Sequence, residues 1–337
     1  MLNQPSSLER SHFPVMLDEV ISICSPDRGG TFLDCTFGGG GYSNKLLTFS
    51  KTKVIALDRD KYVLSIANKL KKKYSNRFSF YQKKFSEVDT IVDHLKVDVI
   101  IFDLGLSSIQ LNNLKRGFSF KSKESLDMSM GMTNSSAEKV VNEYSEQTLK
   151  LIIKILGEEK EASRIVKNII KARSLKKITK VNELVEIIER SKKKNYKNKL
   201  NPSTKTFQAL RIFVNKEISE LVKGITNSAK ILKPGGKILV ISFHSIEDKI
   251  VKFFFSNFSS SKSKPSRYFP EIIDKNNSLF ESYKNKILTP SPEEISRNPP
   301  SRSAKFRYAV RNKNKFNFPK DLMTKFKKYL ELENSLA

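Results

Sequence analysis

Two carboxylates and a run of glycines are the residues of this sequence best suited to hold a small charged ligand. Residues 38–41 are all glycine and follow an apolar segment, 31–37, that carries Asp34. Consecutive glycines can adopt positive φ angles and let a ligand approach the bare backbone, and the amides of a following helix favour negative charge. Asp58 ends a second apolar segment, 53–57, where a carboxylate can bind both hydroxyls of a ribose.

The spacing of the glycines favours one class of nucleotide ligand. A dinucleotide-binding turn has the pattern G-x-G-x-x-G, whose third glycine lets a helix pack closely on a strand, whereas the glycines here are consecutive. Asp34, before them, could accept a hydrogen bond from a cationic amino group. An acid on each side of the glycine run favours S-adenosylmethionine over NAD, and an α/β domain with another nucleotide-like ligand is the alternative.

Strands must position these acids at one edge of a sheet. Apolar runs rich in β-branched and aromatic residues predict strands at 31–37, 53–57, 77–82, 97–102, 237–243 and 304–311, the last at a sheet edge. The fourth run ends at Asp103 and is typical of a parallel sheet covered on both faces. A turn containing Pro234 and two glycines is expected just before the fifth strand.

The alternation of strands and helices stops near residue 112. Helical periodicity predicts helices over 140–156, 158–173, 181–190 and 201–232. We therefore expect an α/β domain built from residues 1–111 and 206–337, interrupted by an all-helical insertion from 112 to 205.

The charge of the chain indicates an anionic partner. Its 337 residues carry 62 Lys and Arg against 35 Asp and Glu, a formal net charge of +27. A protein that neutralises phosphates needs such an excess, so nucleic acid is favoured, with a general lysine bias as the alternative. The basic segment at 191–199 is either a solvated run or a phosphate-contacting loop.

Cysteine and histidine usage predicts no metal site and a reducing compartment. Cys24 and Cys35 lie in apolar segments, and with the three histidines they form no metal-ligand spacing. No apolar run reaches the ~18 residues of a membrane helix, and the N-terminus lacks the apolar core of a signal peptide. A cytoplasmic protein without a membrane anchor is expected.

Five long segments carry a resemblance to a known family. They are DLGLSSIQL at 103–111, RGFSF at 116–120, GEEKEASRIVKNIIKAR at 157–173, TFQALRIFVNKE at 206–217 and SFHSIEDKIVK at 242–252. The chain resembles the RsmH/MraW family over nearly its whole length. These are bacterial methyltransferases that methylate the N4 of a decoding-centre cytosine in 16S rRNA.

The resemblance implies a fold, a cofactor and a set of site residues. The fold is a Rossmann-like S-adenosylmethionine-dependent methyltransferase sheet with an inserted all-helical domain, and the partner is 16S rRNA or the small ribosomal subunit. The implied cofactor-binding residues are Gly40, Gly41 and Tyr42 in the turn, and Asp58, Phe85, Asp103 and Gln110 along the site. Phe85 could stack on an adenine or pack in the core.

The chain departs from the family pattern in three places. Tyr42 stands where the family usually has histidine, although backbone amides there would serve unchanged. Ser129 occupies an arginine position, which weakens the case for a charge clamp on RNA at that segment. Residues 298–301, Asn-Pro-Pro-Ser, replace a more basic run.

Asp103 is the predicted acceptor in catalysis. A cytosine amino group is a poor nucleophile because its lone pair is delocalised into the ring, so an acceptor for an amino hydrogen assists methyl transfer. Asp103 lies at the carboxyl end of a strand, where open α/β sheets bind ligands, and it could contact the cofactor, the amino group or both. His244, after the fifth strand, is expected to have a structural role.

Two further groups of residues lead to weaker expectations. Asn298-Pro299-Pro300-Ser301 resembles the Asn-Pro-Pro-aromatic motif of amino-methyltransferases, but it lacks the aromatic and lies outside the crevice of the fourth strand, so an ordinary turn is predicted. Contacts to RNA phosphates are considered for several basic residues: Arg116, Lys205, Arg211, Arg302 and Arg307.

Three other functions compete with this interpretation. A non-catalytic RNA-binding ribosome assembly factor is disfavoured by the intact glycine turn with Asp58 and Asp103. A DNA amino-methyltransferase has similar chemistry, but the complete Asn/Asp-Pro-Pro-aromatic signature is missing. An NAD(P) oxidoreductase is disfavoured by the glycine spacing.

Overall fold

Six strands form one sheet in the computed structural model, which describes residues 14–93, 96–192, 201–260 and 278–334. The strands are β1 Gly30–Asp34, β2 Thr52–Leu57, β3 Phe78–Tyr81, β4 Val97–Asp103, β5 Leu232–Ser242 and β6 Lys305–Val310. His12, His94 and residues 193–199 of the predicted basic segment lie outside the described residues.

The order of the strands defines where a ligand can bind. The order is β3-β2-β1-β4-β5-β6, with β6 antiparallel to β5 and the other neighbours parallel. β1 pairs with both β2 and β4, so the direction of winding reverses between β1 and β4. Open α/β sheets bind ligands at the carboxyl ends of strands at such a switch point. The Rossmann-like α/β sheet predicted from the sequence is confirmed, including its edge strand.

Both faces of the sheet are covered, which explains the continuous apolar strands. In β4, Ile100 and Phe102 are buried in one core, whereas Val99 and Ile101 are buried in the other. Successive side chains of a strand point to opposite faces, so a strand covered on both sides is apolar without interruption.

Helices make up most of the rest of the described chain. They are α1 Leu17–Cys24, α2 Gly41–Leu47, α3 Leu64–Lys73, α4 Ser108–Asn112, α5 Ala137–Glu143, α6 Glu146–Leu156, α7 Ala162–Leu175, α8 Val181–Ser191, α9 Thr204–Asn215, α10 Glu217–Ile231, α11 Ser245–Asn257, α12 Pro292–Arg297, α13 Lys320–Lys325 and α14 Lys327–Asn334. Within the described residues, none is both long and apolar enough to cross a membrane.

All of α4 to α10 lie between β4 and β5. α9 packs against α5 and α6, whereas α10 packs against β5 and the 3₁₀ helix Phe85–Thr90 on the sheet side. The division into a sheet domain, 1–111 and 206–337, and a helical insertion, 112–205, stays a proposal. The packing of α9 is a reason to extend the insertion to Asn215.

Two helices predicted as continuous are each broken in two. The predicted helix 201–232 is α9 and α10, separated at Lys216, whose φ is 51°. Glu333 of α14 accepts hydrogen bonds from the amides of Ile218 and Ser219, at 2.9 and 2.7 Å, and so caps α10 from a distant part of the chain. The predicted helix 140–156 is likewise α5 and α6, and Ser145 caps α6. Periodicity alone does not reveal such caps.

The predicted turn at Pro234 is a distortion inside a strand. β5 begins at Leu232, and its pairing with β4 shifts register between Val97 and Val99. Gly235 has a φ of 78°, which glycine adopts without steric cost. The chain therefore turns locally as predicted but continues as one bulged strand.

The Glu333 cap predicts a pH dependence of stability. Burial raises the pKa of Glu333 from 4.5 to about 7, so the folded state binds the proton more tightly than the unfolded state. The resulting stabilisation is complete below pH 4.5 and is lost as the pH rises through 7. We expect the melting temperature to fall from pH 5 to pH 7.5, and Glu333→Gln to reduce this fall by about 2–4 °C. Equal slopes for both proteins in circular-dichroism melts would contradict the assignment.

Candidate active site

A cavity of about 320 Å³ lies at the carboxyl ends of β1, β4 and β5. Its walls come from the glycine turn, the segments that follow β2 and β4, the start of α10, and the end of α12 with Asn298 and Pro300 just after it. Of the residues predicted to bind the cofactor, six line it: Gly41, Tyr42, Asp58, Phe85, Asp103 and Gln110. The structure therefore brings together residues from four separate segments.

Gly40 is the predicted site residue that does not line the cavity. Its φ is 75° and its amide donates to the Phe37 carbonyl at 2.7 Å, which closes the turn before α2. A side chain at this position would approach the Phe37 ring to 2.8 Å. Gly40 therefore shapes the turn and does not itself line the cavity.

Asp58 ties the glycine turn to the end of β2. Its Oδ2 accepts the amide of Gly38 at 2.8 Å, and its Oδ1 accepts the amide of Asp60 at 2.9 Å. Burial raises the pKa of Asp58 to about 6, although both amides oppose the rise. Each carboxylate oxygen retains a second acceptor site, so a pair of ligand hydroxyls can still be bound.

Asp34 lies behind the turn and not in the cavity wall. This fully buried carboxylate accepts the Ser43 hydroxyl at 2.7 Å and the Thr36 amide at 3.2 Å. Burial raises its pKa to about 6. The expectation that Asp34 receives a ligand amino group is therefore wrong, because its side chain fastens the start of α2 instead.

Asp103 offers an unused acceptor to the cavity. Its amide donates to the Thr36 hydroxyl at 2.7 Å, which fixes the end of β4 against the chain after β1. Its buried Oδ1 has no hydrogen-bond partner within the described part of the chain. The pKa of Asp103 is raised to about 8. Burial is the largest cause, and the nearby negative charges of Asp34 and Glu247 add to it. A carboxyl with one unpaired oxygen and a raised pKa in a cavity is typical of a functional group.

Tyr42 joins the turn to the N-terminal segment. Its buried hydroxyl donates to the Val15 carbonyl and also faces Asp103, where it partly offsets the rise in that pKa. The next amide, that of Met16, donates to Glu294 of α12 at 2.8 Å. The tyrosine that departs from the family pattern thus helps fix one wall of the cavity.

Gln110 and Phe85 support the wall by packing and hydrogen bonding. Gln110 accepts the Ser107 amide at 2.9 Å and donates to Asp60 at 3.0 Å, so both ends of its carboxamide are used internally. The half-buried Phe85 ring packs edge-to-face on Phe102, with centroids 5.4 Å apart, and its exposed part lines the cavity. Core packing is therefore observed, and adenine stacking stays a prediction.

Several wall residues were not expected from the sequence. Asn298 and Pro300 line the cavity, so the expectation that their motif lies outside the crevice is wrong. Phe243, directly after β5, lines it too; its position at a strand end could have identified it. Glu217 and Glu220 come from α10, whose start could not be located because the helix break was not predicted.

His244, Glu247 and Glu217 form a compact cluster beside the cavity, with possible ligand atoms within 4.8 Å of one another. The Nδ1 of His244 faces the Glu247 amide as an acceptor at 3.5 Å, and its Nε2 lies 3.1 Å from the Glu247 carboxylate. Nε2 itself has no hydrogen-bond partner among the described residues. The guanidinium of Arg211 donates two hydrogen bonds to the Glu217 carboxylate, at 2.8 and 2.9 Å. Arg211 and Glu217 form a structural ion pair, and the structural role expected of His244 stays a prediction.

Three of the basic residues considered for RNA contacts are used inside the protein. Arg116 pairs with the buried Asp60, Arg211 with Glu217, and Arg307 with Asp248. Lys205 donates to the Glu158 carbonyl at 3.0 Å, and Arg302 is exposed. Of the five, Arg302 is best placed to meet a phosphate.

Comparison with known proteins identifies relatives over most of the chain. The model of the MraW methylase family matches residues 9–312. The ribosomal RNA small subunit methyltransferase H of Bartonella grahamii is 43% identical over 311 residues, which cover 92% of each chain. The protein of the same name from Ehrlichia canis is 42% identical over 300 residues, 88% of this chain and 98% of that one.

Among solved structures, an rRNA methylase from Streptococcus thermophilus covers 87% of this chain and 96% of its own, at 9% identity and a TM-score of 0.39. A similarity of this size does not establish a shared fold. The family match and the two sequence relatives, in contrast, extend over most of the chain and agree with the motifs at 103–111 and 242–252. The chain therefore belongs to the MraW methylase family.

Proposed function

We propose that this protein transfers the methyl group of S-adenosylmethionine to the exocyclic N4 of a decoding-centre cytosine in 16S rRNA. Family membership supports methyl transfer, and the names of the relatives support ribosomal RNA of the small subunit as the substrate. The observation that carries the proposal is the unpaired Oδ1 of Asp103 in a cavity at the switch point of the sheet.

The residues of the cavity fit S-adenosylmethionine. Asp58 retains acceptor sites for ribose hydroxyls, and the backbone at Gly38, Gly39 and Gly41 forms an open cradle in the wall. Five acidic side chains, Asp58 and Asp103 among them, line the cavity together with four basic ones, and the acids can accept hydrogen bonds from the ammonium group of this ligand. When bound, this cofactor supplies a methyl group on an already activated leaving group.

Asp103 is the residue that acts on the substrate. As a carboxylate it accepts a hydrogen bond from the cytosine amino group and stabilises the positive charge that develops on N4. Its backbone is held to Thr36 at 2.7 Å, so the acceptor is fixed before the substrate arrives. Such preorganisation lowers the cost of aligning nucleophile, methyl carbon and sulfur.

The partner is 16S rRNA or the small ribosomal subunit, met in the cytoplasm. The net charge of +27 supports a polyanionic substrate. We place the RNA on the side of the helical insertion, 112–205, because the segment from Leu104 to Asn112 that leads into it lines the cavity in part.

The deciding experiment compares rRNA from cells with and without this protein. Mass spectrometry of nucleosides is expected to show N4-methylated cytidine lost on deletion and restored by the intact gene. Purified protein with tritiated S-adenosylmethionine and subunits from the deletion strain is expected to label 16S rRNA. Donor binding without labelling would favour an assembly factor, and labelling of DNA instead would favour a DNA amino-methyltransferase.

Asp58→Ala is expected to weaken the binding of S-adenosylmethionine by about 1–3 kcal/mol, because a charge-assisted hydrogen bond to the ligand is lost. Calorimetric titration measures the change. Thermal melting of the same variant serves as the control, since Asp58 also holds the amides of Gly38 and Asp60. A folded variant with wild-type affinity would remove Asp58 from the cofactor site.

A further inference from the structure

The Asn-Pro-Pro segment after α12 belongs to the wall of the active-site cavity. Asn298 and Pro300 line it together with Asp103 and Tyr42, although they lie near the other end of the chain. The function proposed above uses neither residue. An amide side chain in the same cavity wall as the unpaired Oδ1 of Asp103 therefore calls for a chemical explanation.

Two long-range contacts and one local helix cap hold this segment in place. Glu294 of α12 accepts the Met16 amide at 2.8 Å, which ties α12 to the N-terminal wall. The backbone of Leu288 exchanges two hydrogen bonds with Phe306 of β6, at 3.0 and 2.9 Å, so the approach to α12 is attached to the sheet. Ser291 caps α12 by accepting the Glu294 amide.

The carboxamide of Asn298 is left available by these contacts. Its backbone amide donates to the Glu294 carbonyl at 2.7 Å, and its carbonyl accepts the Ser301 amide at 2.9 Å. The side chain is half-buried and forms no hydrogen bond with any residue that the structure describes. It therefore presents one acceptor and two donor hydrogens that a ligand in the cavity can use.

An aromatic ring is also present in this wall, on a different strand. Phe243 follows β5, is half-buried and lines the same cavity. Its ring lies against Gly105, where an added side chain would approach to 3.3 Å. The sequence motif lacks its aromatic residue, but the fold supplies a flat apolar face in the same cavity as Asn298, and such faces stack nucleobases.

We propose that Asn298, Phe243 and Pro300, together with Asp103, form the subsite for the target base, an amino-bearing pyrimidine. The Asn298 oxygen accepts one amino hydrogen and its NH₂ donates to the adjacent ring nitrogen, while Asp103 accepts the other amino hydrogen. The base packs on Phe243 and Pro300. A uracil would place its carbonyl oxygen against the Asp103 carboxylate, so the subsite selects cytosine. This inference rests on the function proposed above.

The test separates base recognition from cofactor binding. Asn298→Ala and Phe243→Leu are assayed on small subunits from a strain that lacks the protein, and S-adenosylhomocysteine affinity is measured by calorimetry. We expect kcat/KM for subunits to fall about 10–100-fold in each variant, with the calorimetric Kd within about twofold of wild type. Phe243→Tyr retains the ring and is expected to restore most of the rate. Ser296→Ala, an exposed change on α12 just before Asn298, is the matched control.

The outcomes distinguish the base subsite from the proposed function. If the wild type methylates cytosine N4 and Asn298→Ala and Phe243→Leu do so equally well, the base subsite is wrong and the proposed function stands. Parallel losses of cofactor affinity in both variants would also overturn the subsite, since their role would then be structural. A wild type that transfers no methyl group to cytosine overturns the proposed function and the subsite together.

Discussion

Asp103→Asn is expected to lower methyl transfer about 100-fold or more while the protein remains folded. Asparagine has nearly the same shape but lacks the charge that stabilises a developing positive charge on N4, and general-base or electrostatic residues typically contribute a factor of about 10²–10⁴. The amide of residue 103 would still donate to Thr36, so the end of β4 should stay in place. Initial rates with tritiated S-adenosylmethionine and unmethylated subunits give the effect.

The pH profile provides the internal control for this variant. The pKa of Asp103 is raised to about 8 by burial and neighbouring acids, and the acceptor must be unprotonated. For the wild type, kcat/KM is therefore expected to rise with pH and level off above 8, since this ratio reports the free enzyme. The asparagine variant should lack that rise. A wild-type rate for Asp103→Asn would exclude the residue from the chemistry.

Arg116→Met is expected to destabilise the protein by about 3–5 kcal/mol, because removal of one partner leaves a buried charge uncompensated. Arg116 is nearly fully buried, pairs with the buried Asp60 and donates to the Ser129 carbonyl at 2.8 Å. Its guanidinium also lies 4.7 Å from the Tyr62 ring centroid. Urea denaturation followed by circular dichroism measures the loss.

Arg302→Ala is the matched control for this prediction. It removes the same charge from an exposed position, so stability should change by less than about 0.5 kcal/mol. If Arg302 contacts a phosphate, its loss weakens subunit binding and reduces the salt dependence of that binding. Equal stability of the Arg116 and Arg302 variants would show that the buried pair contributes little.

The strands were predictable because their signal is local. A strand covered on both faces needs an uninterrupted apolar run, and all six predicted runs became strands with ends displaced by a few residues. The acids at the strand ends, Asp58 and Asp103, could be placed at one edge by topology alone. The breaks at Tyr144 and Lys216 were missed because the apolar periodicity continues across them. Glu333, which caps α10, comes from elsewhere in the chain, whereas Ser145, which caps α6, is a local signal.

Charged and polar side chains gave the least reliable expectations. Arg116, Arg211 and Arg307 looked like phosphate contacts and are internal ion pairs. Asp34 looked like a ligand for an amino group and is a buried anchor for α2. Asn298 looked like part of an ordinary turn and lines the cavity. The type of a residue determines what its side chain can bind. Which partner the side chain actually meets depends on the distant segment that folds against it.

The sequence by itself determined the family, the α/β sheet, and the two acids and glycine turn that line the cavity, because these depend on motifs and on short-range apolar patterns. Only the tertiary structure decided which polar groups remain free at the cavity. Arg116 pairs with Asp60, and the Met16 amide donates to Glu294, in both cases from a distant part of the chain. Asp103 and Asn298, in contrast, keep unused hydrogen-bonding atoms at the cavity. Buried polar groups gain most from a partner, so those left without one are the groups available to a ligand.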